Sequence, residues 1–303
     1  MLFAAVVLFA ITRVENWGWT SLTVIAALFG VRKDMKGNLT WDQFLPPGLI
    51  AITLFFLIYK YANPLWHQVI GWQTQYIQHI FQWNEFFDRI PLNDGAIFRF
   101  WQPEWLTEYM KWVYSYGFAL SYWICLIYSF FSKDVKKLLR YALAGYLLQV
   151  PLILPFYNTI LLQEVWYVHG VPDMLQRMLT PEEAFTTAWN CFPSMHTSIA
   201  FAGLLLSRRE KNPWFRLVAG IYCGSIILST LYLQIHWVLD VIGGMIFAYC
   251  CVKLADWIMD SKKVTGWIGS WERLGVYLSV KFGNKNHSLS SPGNRKKANE
   301  ETG

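Results

Sequence analysis

Charged side chains are scarce: Asp, Glu, Lys and Arg supply 15% of the 303 residues, where a soluble domain carries roughly a quarter. A chain this poor in charge cannot cover a water-facing surface of its size, which argues against a soluble globular protein. Cysteine is sparse too. Cys125, Cys191, Cys223, Cys250 and Cys251 are odd in number, mostly lie in apolar runs and show no C-x-x-C spacing. That excludes a disulfide framework and a zinc-ribbon motif, and the five are expected as small buried apolar side chains. There is no acidic cluster and no His-rich run, so no metal and no cofactor is expected. The net charge of +6 lies in short connections rather than on one face, which argues against a nucleic-acid partner. Met1 to Thr12 is apolar but lacks a basic lead and a small-residue cleavage site, so no removable signal peptide is expected.

What the chain has in quantity is apolar and aromatic surface: 54% hydrophobic residues, with 17 Trp, 16 Tyr and 21 Phe. Amphipathic rings favour the two membrane–water interfaces. A spanning helix needs roughly 17–25 apolar residues, and six segments offer them: Pro46–Ala62, Trp112–Phe131, Leu138–Tyr157, Pro193–Ser207, Trp214–Leu233 and His236–Met259. The fold class predicted is therefore an all-α membrane protein, a bundle of about six transmembrane helices. The fourth segment is short, and Pro193 suits a first helical turn, so it should start below the outer surface.

Basic residues fix the orientation. Arg32, Lys33 and Lys36, then Lys133, Lys136, Lys137 and Arg140, then Arg208, Arg209, Lys211 and Arg216, and finally the tail from Lys262 all fall on one side of a six-span arrangement. That side is cytoplasmic, and the Lys/Arg-poor segments 63–111 and 158–192 lie outside. Met1–Arg32 holds two apolar pieces too short to span, split by Arg13 and Glu15, and an interfacial or re-entrant hairpin is expected ahead of a seventh span. Residues 64–87 have a helical apolar period but are too polar to span; they suit the interface plane, as a lid or as simple packing. The chain thus divides into a membrane-associated segment at 1–45, the first span with an outer amphipathic segment at 46–111, a core at 112–260, and a basic, partly disordered cytoplasmic tail at 261–303.

Ionisable groups inside spans need an explanation. The sixth span opens with His236 and, four residues on, Asp240, on one helix face. An imidazole whose second nitrogen bonds a carboxylate is held in one tautomer and becomes a better nucleophile or base; the same pair also suits a buried crosslink between helices. The second element is Asn190-Cys191-Phe192-Pro193-Ser194-Met195-His196, at the outer start of the fourth span. Backbone N–H groups at that helix end, with the Ser194 hydroxyl, offer an anion site. His196 stands in the first turn, able to give a proton to a departing oxygen. Two His and one Asp meeting beside such a helix end point to phosphate-ester chemistry.

Pro193-Ser194-Met195-His196, followed 33 residues later by Ser229-Thr230-x5-His236-x3-Asp240 and then Gly243-Gly244, resembles the signature of the type 2 phosphatidic acid phosphatase superfamily. It is closest to the inositol-phosphorylceramide-synthase-like branch, in which a Ser-Arg pair can read Ser-Thr. The resemblance covers about residues 112–258. It implies that His236 attacks phosphorus, Asp240 orients it, His196 protonates the leaving alcohol, and Ser194 helps hold the phosphoryl oxygens, with Ser229 lining the substrate. A lipid phosphate phosphatase or phosphotransferase is the function so implied. Its partners would be a lipid phosphate, a polyol or lipid acceptor, and membrane lipids. The expected location is the plasma membrane, with the active site facing outward. A non-catalytic transporter or scaffold using the same groups for headgroup binding is the alternative; it would spread polar residues through several spans.

The sequence departs from the family pattern where positive charge is usual. No Lys-x6-Arg-Pro element ends the third span, Thr230 replaces the Arg after the motif serine, and Met195 stands where Gly is commoner. Phosphoryl transfer needs positive charge or well-aimed donors around the equatorial oxygens. Arg177 is the expected substitute, with Arg99 and Arg89 behind it. His169 shares the Arg177 loop and is a further substrate contact, whereas His67 and His79 are expected at the interface.

Overall fold

A computed structural model describes residues 17–35, 39–76 and 81–283. Helices dominate. Among the described residues the strands are one two-residue parallel pair, Phe81–Gln82 with Ile160–Leu161. Three helices are long and apolar enough to cross a membrane: Val135–Thr159, Pro213–Tyr232 and Val238–Asp260. A fourth span is counted if Glu104–Gly117 and Leu120–Phe131, bent by 60°, form one. The fold is an all-α membrane protein. Of the two other expected spans, Pro193–Ser207 appears as a 13-residue helix, Met195–Ser207. The segment Pro46–Ala62 lies within one 35-residue helix, Trp41–Gln75.

Local sequence sets the helix ends. Asp134 caps the Val135 helix by accepting from the Lys137 N–H, and Asn212 caps the Pro213 helix by accepting from the Trp214 N–H at 3.1 Å. Side-chain caps satisfy N–H groups that have no partner inside the helix. The Met195 helix is the centre of the bundle. It packs against Pro213–Tyr232, Val238–Asp260 and Phe118–Phe131, and Ala200, Ala202 and Cys223 in its contacts are fully buried. Small side chains there let three neighbours approach closely, as in other membrane bundles.

At one end of the bundle, buried Asp34 ties the N-terminal part to it. It accepts hydrogen bonds from the Tyr128 hydroxyl and from the N–H groups of Lys211 and Asn212. Burial pushes this carboxyl up, but these hydrogen bonds and nearby Lys137 outweigh it and hold it below the usual carboxylate range. The Asn212 side chain donates to the Phe29 carbonyl and the Trp214 indole to that of Ala26. The helix Trp17–Leu28 is thereby docked on the bundle. Residues 1–16, which carry the first half of the expected hairpin, lie outside the described residues, as do His79 and residues 284–303.

One expectation changes. Residues 64–75 are not a separate interfacial segment but continue the Trp41 helix, and their end is held by a reciprocal amide pair between Gln73 and Asn190 at 2.7 and 3.2 Å. The described part of the tail, Lys262–Gly283, is a helix lying on the Trp41 helix, with Ile268, Val264 and Trp271 turned to the core. Gly275 permits the contact, since a Cβ there would stand 2.1 Å from the Gln43 carbonyl oxygen.

At the opposite end, residues 160–166, a two-residue strand and a short connection leading into the helix Val165–Val168, collect three loops. Trp83 donates to the Leu161 carbonyl, Cys191 to Leu162, Glu164 to Ala188, Val165 to Ile235 and Trp166 to Gln234. The Trp237 indole adds a bond to the Gln163 carbonyl at 2.8 Å. The segments that precede both histidines, and Trp237 after His236, are thus pinned to one short stretch.

The charge bias predicts opposite exposure for residues 178 and 208. Met178 is 97% exposed and Arg208 is exposed at the other end. With labelling of the native cysteines subtracted, Met178→Cys should react with an impermeant thiol reagent from outside intact cells, and Arg208→Cys only after permeabilisation. The reverse pattern would invert the topology.

Candidate functional site

His236 and Asp240 stand one turn apart at the start of the Val238–Asp260 helix. His236 Nδ1 lies 3.2 Å from Asp240 Oδ2, which also accepts the Trp237 N–H at 3.0 Å. With Nδ1–H donating to the carboxylate, the other ring nitrogen keeps its lone pair for chemistry. The turn before the helix is fixed by the Thr230 carbonyl, which accepts from both Ile235 and His236 N–H groups at 3.1 and 3.0 Å. Asn93 closes the helix end: its carbonyl accepts from Val238 N–H at 2.7 Å and its side chain from Leu239 N–H at 2.9 Å. Asp240 Oδ1 is buried without a hydrogen-bond partner.

His196 is in the first turn of the neighbouring helix, and its ring centroid lies 6.0 Å from that of His236. Two aromatic rings hold it: Tyr114 stacks on it at 4.3 Å and 16°, and Phe118 leans on it at 4.3 Å and 44°. Tyr114 lies in a π-helical turn, Val113–Gly117, a local distortion frequent at functional sites. Neither ring is marked by the sequence, because both lie in one apolar run whose hydrophobic pattern a π-turn leaves unchanged.

The expected contacts to phosphate are placed less simply. Ser194 caps its helix, accepting from Thr197 N–H at 3.3 Å and donating to Thr197 Oγ1 at 3.0 Å, while its own N–H binds the Asp240 carbonyl at 3.2 Å. The Ser229 hydroxyl donates to the Ile226 carbonyl of its own helix at 2.7 Å. Arg177 lies in a loop beside the site, where Met174 and Leu175 pack with Tyr114 and Ile235. Its guanidinium bonds Asp173 and Glu164, each at 2.6 Å, and covers the Trp166 ring. Burial disfavours its charge, but the two carboxylates outweigh that and hold its pKa above the usual value. Arg99 is paired with Asp94 at 2.6 Å, Arg89 with Glu85 at 3.1 Å, and His169 contacts Asp88 at 2.8 Å. His67 falls within the Trp41 helix.

Among the described residues, one group of His, Cys, Asp or Glu side chains is close enough to hold a metal ion: Cys191, His236 and Asp240, whose candidate ligand atoms lie within 4.8 Å of one another. The sequence shows no such ligand spacing, because Cys191 is separated from His236 by 45 positions.

Helix contact in the site depends on the Gly243-Gly244 pair. A Cβ on Gly244 would stand 2.6 Å from the Ser194 carbonyl oxygen and 3.2 Å from Thr197 Cβ, and one on Gly243 would meet the Phe192 ring at 2.9 Å. The absence of side chains there sets the distance between the helices that carry the two histidines.

The family profile described as the PAP2 superfamily matches residues 159–263, a stretch that takes in residues 160–166, both histidines and Asp240. An uncharacterized protein of Methanocaldococcus jannaschii is 26% identical over 210 residues, covering 65% of this chain and 80% of that protein. No solved structure matches significantly. The matched region is shorter than the 112–258 expected from the motifs, and it leaves out the helices that bear Tyr114 and Phe118.

Gly244→Ala should push these helices apart, costing about 1–3 kcal/mol as other overpacking changes do and lowering any activity of the site. Gly224→Ala, with open space around its Cβ position, is the control. Equal melting temperatures for the two variants would show that the close approach is not required.

Proposed function

We propose that this chain is a membrane lipid phosphate phosphatase or phosphotransferase acting through a phosphohistidine at the outer membrane face. Similarity to the PAP2 superfamily over residues 159–263 supports the reaction class. One observation carries the mechanism: two imidazoles, 6.0 Å apart at one end of the bundle, with a buried carboxylate bonded to only one of them. His236 is then the nucleophile. Its Nε2 forms an N–P bond as the P–O ester bond breaks, and protonated His196 gives its proton to the leaving oxygen. Water or an acceptor hydroxyl then attacks phosphorus, returns a proton to His196 and releases His236. Asp240 stabilises the positive charge that His236 gains, as a buried carboxylate does for a catalytic imidazole. Neutral donors near the Met195 helix end receive the phosphoryl oxygens.

Ser194, Ser229 and Arg177 remain proposed substrate contacts, each with a cost. Arg177 meets phosphate only by leaving Glu164 or Asp173, and the two hydroxyls must turn from their present acceptors. Transfer is favoured over simple hydrolysis, in keeping with the resemblance to the inositol-phosphorylceramide-synthase-like branch. A transporter or scaffold has no observation on its side, since the polar groups gather at one end of two helices. The deciding experiment supplies detergent-purified protein with lipid phosphomonoesters and diesters, with and without polyol acceptors. A new phospholipid appearing with the polyol marks a transferase, phosphate release alone a phosphatase, and neither product defeats the proposal.

Within that assay, His236→Ala, His196→Ala and Asp240→Asn should each remove most turnover while the protein stays folded. Their losses should not add, because the three groups serve one transition state. A His236→Ala enzyme keeping more than about a tenth of the rate would sink the nucleophile assignment, as such losses are normally orders of magnitude. For the ring that holds His196, Tyr114→Phe should keep most of kcat. Tyr114→Ala should lose about ten-fold or more, the scale on which misplaced catalytic groups cost rate. Equal kcat in all three enzymes would remove the positioning role.

A further inference from the structure

We infer that Cys191, His236 and Asp240 form a binding site for a soft divalent metal ion of the zinc class, and that its occupation switches the enzyme off. The three side chains are 1%, 4% and 0% exposed, and their candidate ligand atoms lie within 4.8 Å of one another. Ligand atoms around a tetrahedral zinc stand roughly 3.3–3.8 Å apart, given bonds of about 2.0–2.3 Å. Side-chain rotation covers that difference. Cys191 has little to give up: its Sγ makes only long contacts to the carbonyls of Ala188 and Ile235, at 3.7 and 3.8 Å. Its backbone is held in place by the Leu162 carbonyl at 3.2 Å.

Two independent features point to a cation. Asp240 Oδ1 is a buried acceptor with no hydrogen-bond partner, and such an atom needs an explanation in a folded protein. The donor set also balances charge. A thiolate, a carboxylate and a neutral imidazole cancel a divalent ion, so the complex is neutral where an uncompensated charge would be costly. The sulfur selects against Mg²⁺ and Ca²⁺, which prefer oxygen ligands. Binding forms a metal–sulfur bond and releases the thiol proton to solvent, and it removes the Nε2 lone pair of His236 from attack on phosphorus, either by using it as the ligand or, with Nδ1 as the ligand, by moving the ring proton from Nδ1 to Nε2. The inhibition therefore rests on the proposed function; the binding of the ion does not.

Cobalt tests the binding and zinc the inhibition. In a Cys250→Ala background, which removes the exposed cysteine, Co²⁺ alone added to the purified protein should produce a thiolate-to-cobalt charge-transfer band. Cys191→Ser should abolish the band while the thermal unfolding profile keeps its cooperativity. Asp240→Asn, retaining Cys191, should weaken Co²⁺ affinity at least ten-fold and serves as the second variant should Cys191→Ser not fold. In the lipid phosphate assay, micromolar Zn²⁺ should inhibit, and EDTA should restore the rate and never lower it below the untreated value. Cys191→Ser should need at least ten-fold more Zn²⁺. Absence of the cobalt band in the parent, or its persistence in Cys191→Ser, overturns the site whatever the activity shows. A cobalt band with no zinc inhibition overturns only the switch. Loss of activity on chelation would make the ion a required cofactor and overturn it in the opposite sense.

Discussion

The backbone of residues 160–166 is the constraint on which the end of the molecule carrying both histidines depends. A buried polar backbone group without a partner costs several kcal/mol, so an irregular segment packed among other elements must find acceptors and donors nearby. This one finds them in three loops at once: 83, 188–191 and 234–235. Two of those loops lead directly into the helices of His196 and His236. Pairing for the sake of the backbone therefore aligns the two helix ends. The placing of the two histidines comes from satisfying main-chain hydrogen bonds, not from attraction between the histidines themselves.

Asp240 has a second organising role. Its backbone carbonyl binds the Ser194 N–H, and its side chain binds His236 and the Trp237 N–H. One residue thus spans the two motif segments as well as orienting the imidazole. The Gly243-Gly244 pair removes the side chains that would keep those segments apart, which gives a packing reason for glycine there beyond flexibility. At the far end of the bundle, Asp34 does comparable work for the loop at 211–212. The bundle is closed at both ends by a buried carboxylate that accepts backbone N–H groups.

The helical membrane fold was legible because long apolar runs report directly on burial. His236 and Asp240 were legible because i and i+4 on a helix meet through local geometry alone. His196 was legible once its helix end was placed on the same side. Contacts made across long stretches of sequence were not. Gln73 with Asn190, Asn93 on the Asp240 helix end, and Tyr114 on His196 each join residues more than 80 positions apart, and no local pattern encodes them. Composition misled in one place: the continuation of the Trp41 helix past residue 63 was obscured by a polar stretch.

The charge of the segments around the two histidines bears on what a site of this kind can hold. Segments 63–111 and 158–192 contain nine acidic residues against four basic ones, a net of −5. All four bases are ion-paired: Arg89 with Glu85, Arg99 with Asp94, Lys111 with Glu108, and Arg177 with Glu164 and Asp173. A phosphomonoester dianion entering such a place would meet two imidazoles and neutral donors within an acidic surround, and would lose its water for little in return. A phosphodiester carries a single negative charge, so its desolvation is less costly and protonated His196 alone can balance it. On the proposed mechanism, the same loss of free cations that separates this sequence from the usual family pattern therefore favours a phospholipid diester as donor over a phosphatidate. With a diester donor, His236 takes up a phosphoalkyl group, and an acceptor hydroxyl rather than water becomes the natural partner for the second step.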